Sequence, residues 1–207
     1  MHEPILKAVA PFDGVALPTG AIRAIDRDGC GIALITARRG RENDVLRALA
    51  ADFGIDLPDA GKCARQRGIV AVATAPRSWL IVAEQRPNRL AADLKQSVRD
   101  AASVVDQSDG YALLRLSGIA VPALLAKGVS IDVSNDAFAV DSAACTHLAH
   151  MNVTFWRLPD DPAQGPTFEL ALFRSFAASL AHWLSEHAPR EHRVDPTRSD
   201  HPFGAVS

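Results

Sequence analysis

Two histidines, His147 and His150, are the first candidates for metal chemistry in this 207-residue chain. A three-residue spacing brings two side chains onto one face of a helix but points them to opposite faces of a strand. The alternation of residue types over residues 148–156 predicts a strand at this position. No cysteine or carboxylate accompanies the pair at a ligand spacing, so we predict that the chain binds no metal.

Nucleotide binding and nucleophilic catalysis have one candidate segment each. Residues 29–31 (GCG) begin like a dinucleotide fingerprint, but Leu34 occupies the place of the third glycine, and the glycines precede the predicted strand. Ser117 follows a predicted strand without the Gly-x-Ser-x-Gly elbow of hydrolases. Asp160 and Asp161 lie beside proline and are typical of a turn. We therefore predict no catalytic and no cofactor-binding residue.

The three cysteines, Cys30, Cys63 and Cys145, are odd in number and far apart in the sequence. This pattern is typical of free thiols in a reducing compartment, so we expect a cytoplasmic protein. Small buried side chains are the interpretation that we prefer for all three.

The overall composition excludes several classes of function. The formal net charge is −2 and no basic stripe occurs, so we expect no nucleic-acid partner. No apolar stretch approaches the ~20 residues that span a membrane, and the first residues do not resemble a secretion signal, so we expect no membrane partner. With 48% apolar residues, the chain can bury a core without disulfides or metal.

The first half of the sequence predicts the element order of a ferredoxin-like unit. Gly54 stands where a cap would end the first helix. The predicted order is strand, helix, strand, strand, helix, strand, which is the split βαβ order. Strands are predicted at residues 31–36, 69–73, 79–83 and 104–105, and helices at 42–53 and from Asn88 to about residue 102.

The second half repeats this order loosely. We therefore predict an α+β fold of two pseudo-equivalent ferredoxin-like halves, at about 29–106 and 107–187, in one domain at 29–187. Residues 1–28 are expected to be an extended segment, and residues 188–207 a mobile tail. The predicted elements of the second half are strands at 111–116, 129–133, 148–156 and 168–173, a short helix ending at Gly128, a proline-rich arm at 159–166, and a closing helix at 176–187.

Three tryptophans, Trp79, Trp156 and Trp183, lie inside apolar patterns. Aromatic side chains of this kind pack in cores or anchor interfaces. If Trp156 is an interface anchor, its replacement by alanine should weaken assembly by roughly 2 kcal/mol or more and leave the isolated fold largely intact, whereas loss of the folded subunit would place it in the core.

Several short segments together resemble the gamma subunit family of heterotetrameric sarcosine oxidase. The resemblance spans about residues 65–187, and the order and spacing of the segments are more specific than any one of them. The segments are 114–118 (LRLSG), 123–128 (ALLAKG), 131–132 (ID), 145–150 (CTHLAH), 156–158 (WRL), 167–170 (TFEL), 174–180 (RSFAASL) and 183–184 (WL).

The resemblance implies a fold related to the folate-binding domain of the glycine cleavage aminomethyltransferase, the T-protein. It also implies a complex that oxidatively demethylates sarcosine to glycine, releases hydrogen peroxide and transfers the one-carbon unit to tetrahydrofolate. The alpha, beta and delta subunits would then be the partners and would carry FAD, FMN, NAD and tetrahydrofolate. This chain would be an accessory subunit of that oxidoreductase, with no catalytic residue and no bound cofactor of its own.

Three other functions stay open at this point. A similar four-subunit plan occurs in N-methylglutamate dehydrogenase, so the substrate of the complex is not fixed by these residues. A stand-alone folate-binding protein resembling the aminomethyltransferase would have the same fold. A generic αβ adaptor unrelated to amine oxidation is the third.

Overall fold

The computed structural model describes residues 9–84 and 88–189, which form two five-stranded antiparallel sheets and four α-helices. A 3₁₀ turn at Arg174–Phe176 precedes the last helix. The strands are β1 (Arg23–Asp26), β2 (Gly31–Ala37), β3 (Cys63–Gln66), β4 (Ile69–Ala75), β5 (Ser78–Ala83), β6 (Ala102–Asp106), β7 (Tyr111–Ser117), β8 (Ala143–Leu148), β9 (Met151–Asp161) and β10 (Gly165–Phe173), and the helices are α1 (Glu42–Phe53), α2 (Leu90–Val98), α3 (Val121–Leu125) and α4 (Ala177–His187).

The first sheet has the strand order β3-β4-β5-β2-β6. Its four strands β4, β5, β2 and β6, together with α1 and α2, have the order of a ferredoxin-like unit, and β3 extends the edge. Helix α1 forms because Val45, Leu49 and Phe53 lie on one buried stripe. It ends at Gly54, which adopts the left-handed conformation with φ of 65°. The predicted ferredoxin-like first half is thus confirmed.

The second sheet has the strand order β1-β7-β10-β9-β8. Strands β7, β10 and β9 with α3 and α4 follow the ferredoxin-like plan, and β1 occupies the position of the missing fourth strand. β1 pairs antiparallel with β7, with Arg23 opposite Ser117. The segment before β1 contributes Phe12 and Ile22 to the core under the helices. The described part of the predicted amino-terminal segment, residues 9–28, thus packs against this half.

The two sheets pack face to face, with the helices outside. One core lies between α1, α2 and the first sheet, and a second lies between α3, α4 and the second sheet. A third, between the sheets, includes Ile32, Leu80, Trp156 and Ala171. The two sheets are joined at one edge by the start of β3 and the residues just before β8, because Cys63 N–H donates to the Asp141 carbonyl at 2.9 Å.

Several predicted elements of the second half are wrong in detail. Residues 129–133 form no strand, although Val129 and Val133 are buried. The predicted strand at 148–156 is divided into β8 and β9 by a turn at Ala149 and His150, whose φ angles are 47° and 71°. The predicted arm at 159–166 is instead the tip of the hairpin formed by β9 and β10. The predicted tail lies outside the described residues from position 190 onward, and the division at 28/29 and 187/188 stays a prediction.

Gly118, at the end of β7, is a position where only glycine fits. Its φ is 148°, and a Cβ there would lie 2.2 Å from the Ala21 carbonyl oxygen. We expect Gly118→Ala to lower the free energy of unfolding by more than about 1 kcal/mol, because the chain before β1 must move. Urea unfolding measures this change. Gly40→Ala is the matched control, because Gly40 has a φ of 78° and an added Cβ would meet no atom of the described residues within 4 Å. An equal loss of unfolding free energy in both variants would contradict the steric explanation.

Candidate functional site

A cleft of about 510 Å³ opens between the two sheets, where β1 meets the turn between β3 and β4. Residues 65–70 and Glu84 form the wall from the first sheet. The opposite wall comes from the second sheet, with Arg23, Ile25, Arg115 and the start of the hairpin tip. We call this feature the arginine cleft, because Arg23, Arg65, Arg67 and Arg115 all line it.

An ion-pair network around a buried carboxylate adjoins the arginine cleft through two lining residues, Arg115 and Glu84. Glu169 is only 2% exposed, and its Oε1 accepts hydrogen bonds from Arg27 Nε at 3.2 Å and Arg115 Nη2 at 3.1 Å. Glu84 also pairs with Arg27, and it lies 3.6 Å from Arg115 Nη2. Glu84 follows β5 of the first sheet. Arg27 follows β1 of the second sheet, and Arg115 and Glu169 lie on that sheet, so the network connects the two sheets.

Strand register explains why these charges meet. Glu169 on β10 lies directly opposite Arg115 on β7. Side chains alternate along a strand, so Thr167, Glu169 and Ala171 face the first sheet while the residues between them enter the core under the helices. Burial alone would lower the pKa of Arg27, but the neighbouring carboxylates of Glu169 and Glu84 outweigh it and raise that pKa. Arg27 therefore keeps its positive charge.

The rim of the arginine cleft carries further guanidinium groups. Arg65 Nε donates to Asp141 Oδ1 at 2.7 Å. Arg23 is exposed and has no ion-pair partner within residues 9–84 and 88–189. Arg67 lies in the turn between β3 and β4, with its guanidinium beside Gly54. Arg115 Nε is buried and makes no hydrogen bond to the described part of the chain.

The chemistry available in the arginine cleft is recognition of negative charge. The hydroxyl groups of Ser117 and Thr167 line the cleft, and Thr167 Oγ1 donates to Ser117 Oγ at 3.1 Å. Among residues 9–84 and 88–189, no histidine lines the cleft. Guanidinium groups bind carboxylates and phosphates through paired hydrogen bonds, so the arrangement suits an anionic group.

Asp161 lines this cleft, whereas His147 and His150 lie away from it. His147 is in β8 beside Cys145 on a second groove of about 430 Å³, and His150 is in the turn that follows. Asp161 Oδ1 accepts the N–H groups of Ala163 and Gln164, which is the role of a turn residue. Among the described residues, no cluster of three or more His, Cys, Asp or Glu could hold a metal.

The cysteines differ in environment. Burial raises the pKa of the Cys63 thiol to about 12, and the Asp141 carboxylate adds to this rise. Burial also raises the pKa of Cys30, against the opposing effect of Arg27. Cys145 is exposed.

We expect a thiol reagent such as a maleimide to modify Cys145 quickly in the folded protein and to spare Cys30 and Cys63. The thiolate is the reactive species, and burial and high pKa both suppress it at the latter positions. Mass spectrometry after brief labelling at pH 8 measures this, with full labelling in urea as the control. Equal labelling of Cys63 and Cys145 in the native protein would contradict the placement of Cys63.

Of the two roles considered for Trp156, core packing is the one that the structure shows. The indole is fully buried between the two sheets, with no exposed surface that a partner could contact. Because Trp156 lies opposite Glu169 in the pairing of β9 with β10, its side chain faces the first sheet. It is a core residue.

Sequence reasoning did not find the arginine cleft. Arg115 and Glu169 are separated by more than fifty positions, and each lies singly in an apolar run. The available signal was the presence of a single charged residue in each otherwise uncharged strand, Arg115 in YALLRLS and Glu169 in GPTFELALF. Such charges are rarely buried unless they are paired.

The arrangement of two packed ferredoxin-like halves defines the class of protein to which the chain belongs. The same fold occurs in the crystal structure of glycine cleavage system aminomethyltransferase T from Bartonella henselae. The TM-score is 0.56 at 14% identity, over 79% of this chain and 45% of that one. The chain is therefore an α+β protein with the aminomethyltransferase-type fold, as predicted.

The particular family follows from the sequence. The model of the sarcosine oxidase, gamma subunit family matches residues 40–190, and the chain belongs to this family. Two relatives named sarcosine oxidase subunit gamma, from Corynebacterium sp. strains U-96 and P-1, are 30% and 31% identical to it, and each match covers 66% of this chain. These matches cover 65% and 66% of the relatives, slightly under two thirds of their length.

A solved complex provides a structural counterpart. One chain of the heterotetrameric sarcosine oxidase from Corynebacterium sp. U-96, in complex with pyrrole 2-carboxylate, superposes with a TM-score of 0.71. The identity is 24%, and the match covers 88% of this chain and 93% of that chain. None of the helices in the described residues is long and apolar enough to span a membrane.

Proposed function

We propose that this chain is the gamma subunit of a heterotetrameric sarcosine oxidase. The observation that carries the proposal is family membership over residues 40–190, together with a match to 93% of one chain of such a complex. The complex would oxidatively demethylate sarcosine to glycine, release hydrogen peroxide and transfer the one-carbon unit to tetrahydrofolate. The chain would act in the cytoplasm.

The proposed role within the complex is that of an accessory subunit. The alpha, beta and delta subunits would be its partners and would carry FAD, FMN, NAD and tetrahydrofolate. Two features support a role in contact rather than in chemistry. The three cores and the ion-pair network join the two sheets into one packed body, and the described residues that line the arginine cleft present positive charges but no activated nucleophile.

Deletion of this chain tests the proposal. The complex is purified from cells with and without the gene, and flavin content, subunit composition and sarcosine oxidation are measured in both. We expect loss of the intact assembly and of most activity, restored when the chain is supplied in trans. A complete and fully active oxidase without the chain would overturn the proposed role.

The substrate of the complex needs its own measurement. Oxidation of sarcosine and of N-methylglutamate by the purified assembly would be compared at equal enzyme concentration. We expect a higher kcat/KM for sarcosine. A preference for N-methylglutamate would assign the chain to the related dehydrogenase instead.

A further inference from the structure

The arginine cleft concentrates positive charge on a protein that is slightly acidic overall. The whole chain has a formal net charge of −2, whereas the cleft is lined by four arginines and two acidic residues, Glu84 and Asp161. Such a local excess attracts a negatively charged partner during diffusional encounter.

The arginines of the cleft divide into two groups. Arg115 and Arg65 have carboxylate partners within the protein, in Glu169 and Asp141 respectively. Arg23 and Arg67 have no ion-pair partner among residues 9–84 and 88–189. These two come from different sheets, so they face the cleft from opposite walls.

The position at which an anion can bind is limited by Glu169. This carboxylate is paired with Arg115, a lining residue, and would repel a second negative group placed beside that guanidinium. Arg23 and Arg67 are therefore the groups that remain for an anionic ligand. Exposed guanidinium groups hold a small anion only weakly in water, since surface ion pairs contribute about 0–1 kcal/mol.

The walls favour a ligand that has apolar parts next to its negative charges. Ile25, Val70, Leu158 and Pro159 line the same cleft. A polypeptide segment combines carboxylate side chains with apolar groups, and its many contacts together compensate for the weakness of each one. Arginine is also enriched at protein interfaces, where it pairs with carboxylates across the contact.

We propose that the arginine cleft is the docking site for an acidic polypeptide segment of a partner subunit. Aspartate or glutamate side chains of that segment pair with Arg23 and Arg67, while its apolar side chains contact the walls. The proposal rests on the proposed function, since the partner is another subunit of the same complex.

Charge reversal at the rim tests the proposal. The variants are Arg23→Glu and the double variant Arg23→Glu/Arg67→Glu, each recombined with the remaining subunits of the complex. We expect the association rate of the double variant at 50 mM salt to fall by about tenfold or more, because electrostatic steering acts mainly on the rate of encounter. The association of the wild-type chain should slow as salt is raised, and that of the double variant should not.

Matched controls separate the cleft from general surface charge and from folding. Arg47→Glu and Arg89→Glu make the same change at exposed arginines on or beside α1 and α2, away from the cleft, and we expect association within twofold of wild type. Arg23→Lys/Arg67→Lys keeps the charge and should retain most of the association rate. Thermal unfolding of every variant shows whether the fold is intact.

The outcomes distinguish the two proposals. A wild-type chain that fails to associate with the other subunits overturns the proposed function, and the docking proposal with it. Association of the wild-type chain that is unchanged by the rim reversals overturns the docking proposal alone. Saturable binding of citrate or phosphate that requires Arg23 and Arg67, together with normal assembly of the double variant, also overturns it in favour of a small-anion site.

Discussion

Replacing Trp156 by alanine is expected to lower the free energy of unfolding by about 3–5 kcal/mol, the range found when a buried aromatic side chain is removed. The indole is wholly buried between the sheets, in a core that includes Leu80 of the first sheet and Leu158 and Ala171 of the second. Because this core is shared by two sheets, its side chains cannot collapse into the cavity without shifting one sheet against the other. Urea unfolding of the isolated chain measures the loss.

Ile119→Ala is the control for this prediction. Ile119 is 82% exposed, and its truncation should change stability by no more than about 0.5 kcal/mol. Normal stability of Trp156→Ala, with weakened assembly as its only defect, would show that the indole lies at an interface. That result would contradict the packing of the two sheets as described.

Replacing Glu169 by glutamine is expected to lower the free energy of unfolding by about 2–3 kcal/mol. The amide keeps the size of the side chain but removes the charge that pairs with Arg27 and Arg115. A broken buried ion pair costs about 3–5 kcal/mol when the remaining charge is fully enclosed. The loss should be smaller here, because both arginine side chains retain some contact with water and Glu84 still lies nearby.

Glu84→Gln provides the matched control, because Glu84 pairs with the same two arginines from a half-exposed position. The free energy of unfolding of Glu84→Gln should fall by at most about 1 kcal/mol, and by less in 1 M salt, where exposed charges are screened. The fall in the free energy of unfolding of Glu169→Gln should persist at that salt concentration. Equal effects of the two variants would mean that burial of Glu169 does not determine the strength of the network.

The predicted elements that proved correct are those with strong local signals. Helix α1 has an apolar stripe and a glycine at its end, and β2 is an apolar run between turns, so sequence alone gave their bounds to within one residue. The turn between β8 and β9 has no such signal. Ala149 and His150 both adopt positive φ, where a two-residue hairpin turn normally uses asparagine and glycine.

Other errors arise from packing that only the whole fold determines. Val129 and Val133 alternate with polar residues as a strand would, yet they are buried from an irregular segment that has no neighbouring strand. Conversely, β1 is four residues long with charged ends, and it becomes a strand only because β7 is available to pair with it. Neither outcome can be decided from a short window of sequence.

The arginine cleft depends on long-range register in the same way. Glu169 meets Arg115 because β7 and β10 pair in one register, and a shift of either strand by one residue would turn its charged side chain toward the apolar core under the helices. The family resemblance predicted the fold and the class of partner, but it did not predict the register in which β7 and β10 pair. The positions of the charges required the assembled sheets.

The place of β1 in the second sheet also sets an order of events during synthesis. The strand leaves the ribosome first, but β7 emerges only after the whole first half, a delay on the order of ten seconds at typical elongation rates. The first ferredoxin-like half can close in the meantime around its own strands, whereas the early segment stays without its partner. Correct maturation therefore requires that the nascent amino-terminal strand be kept from mispairing until the second half arrives.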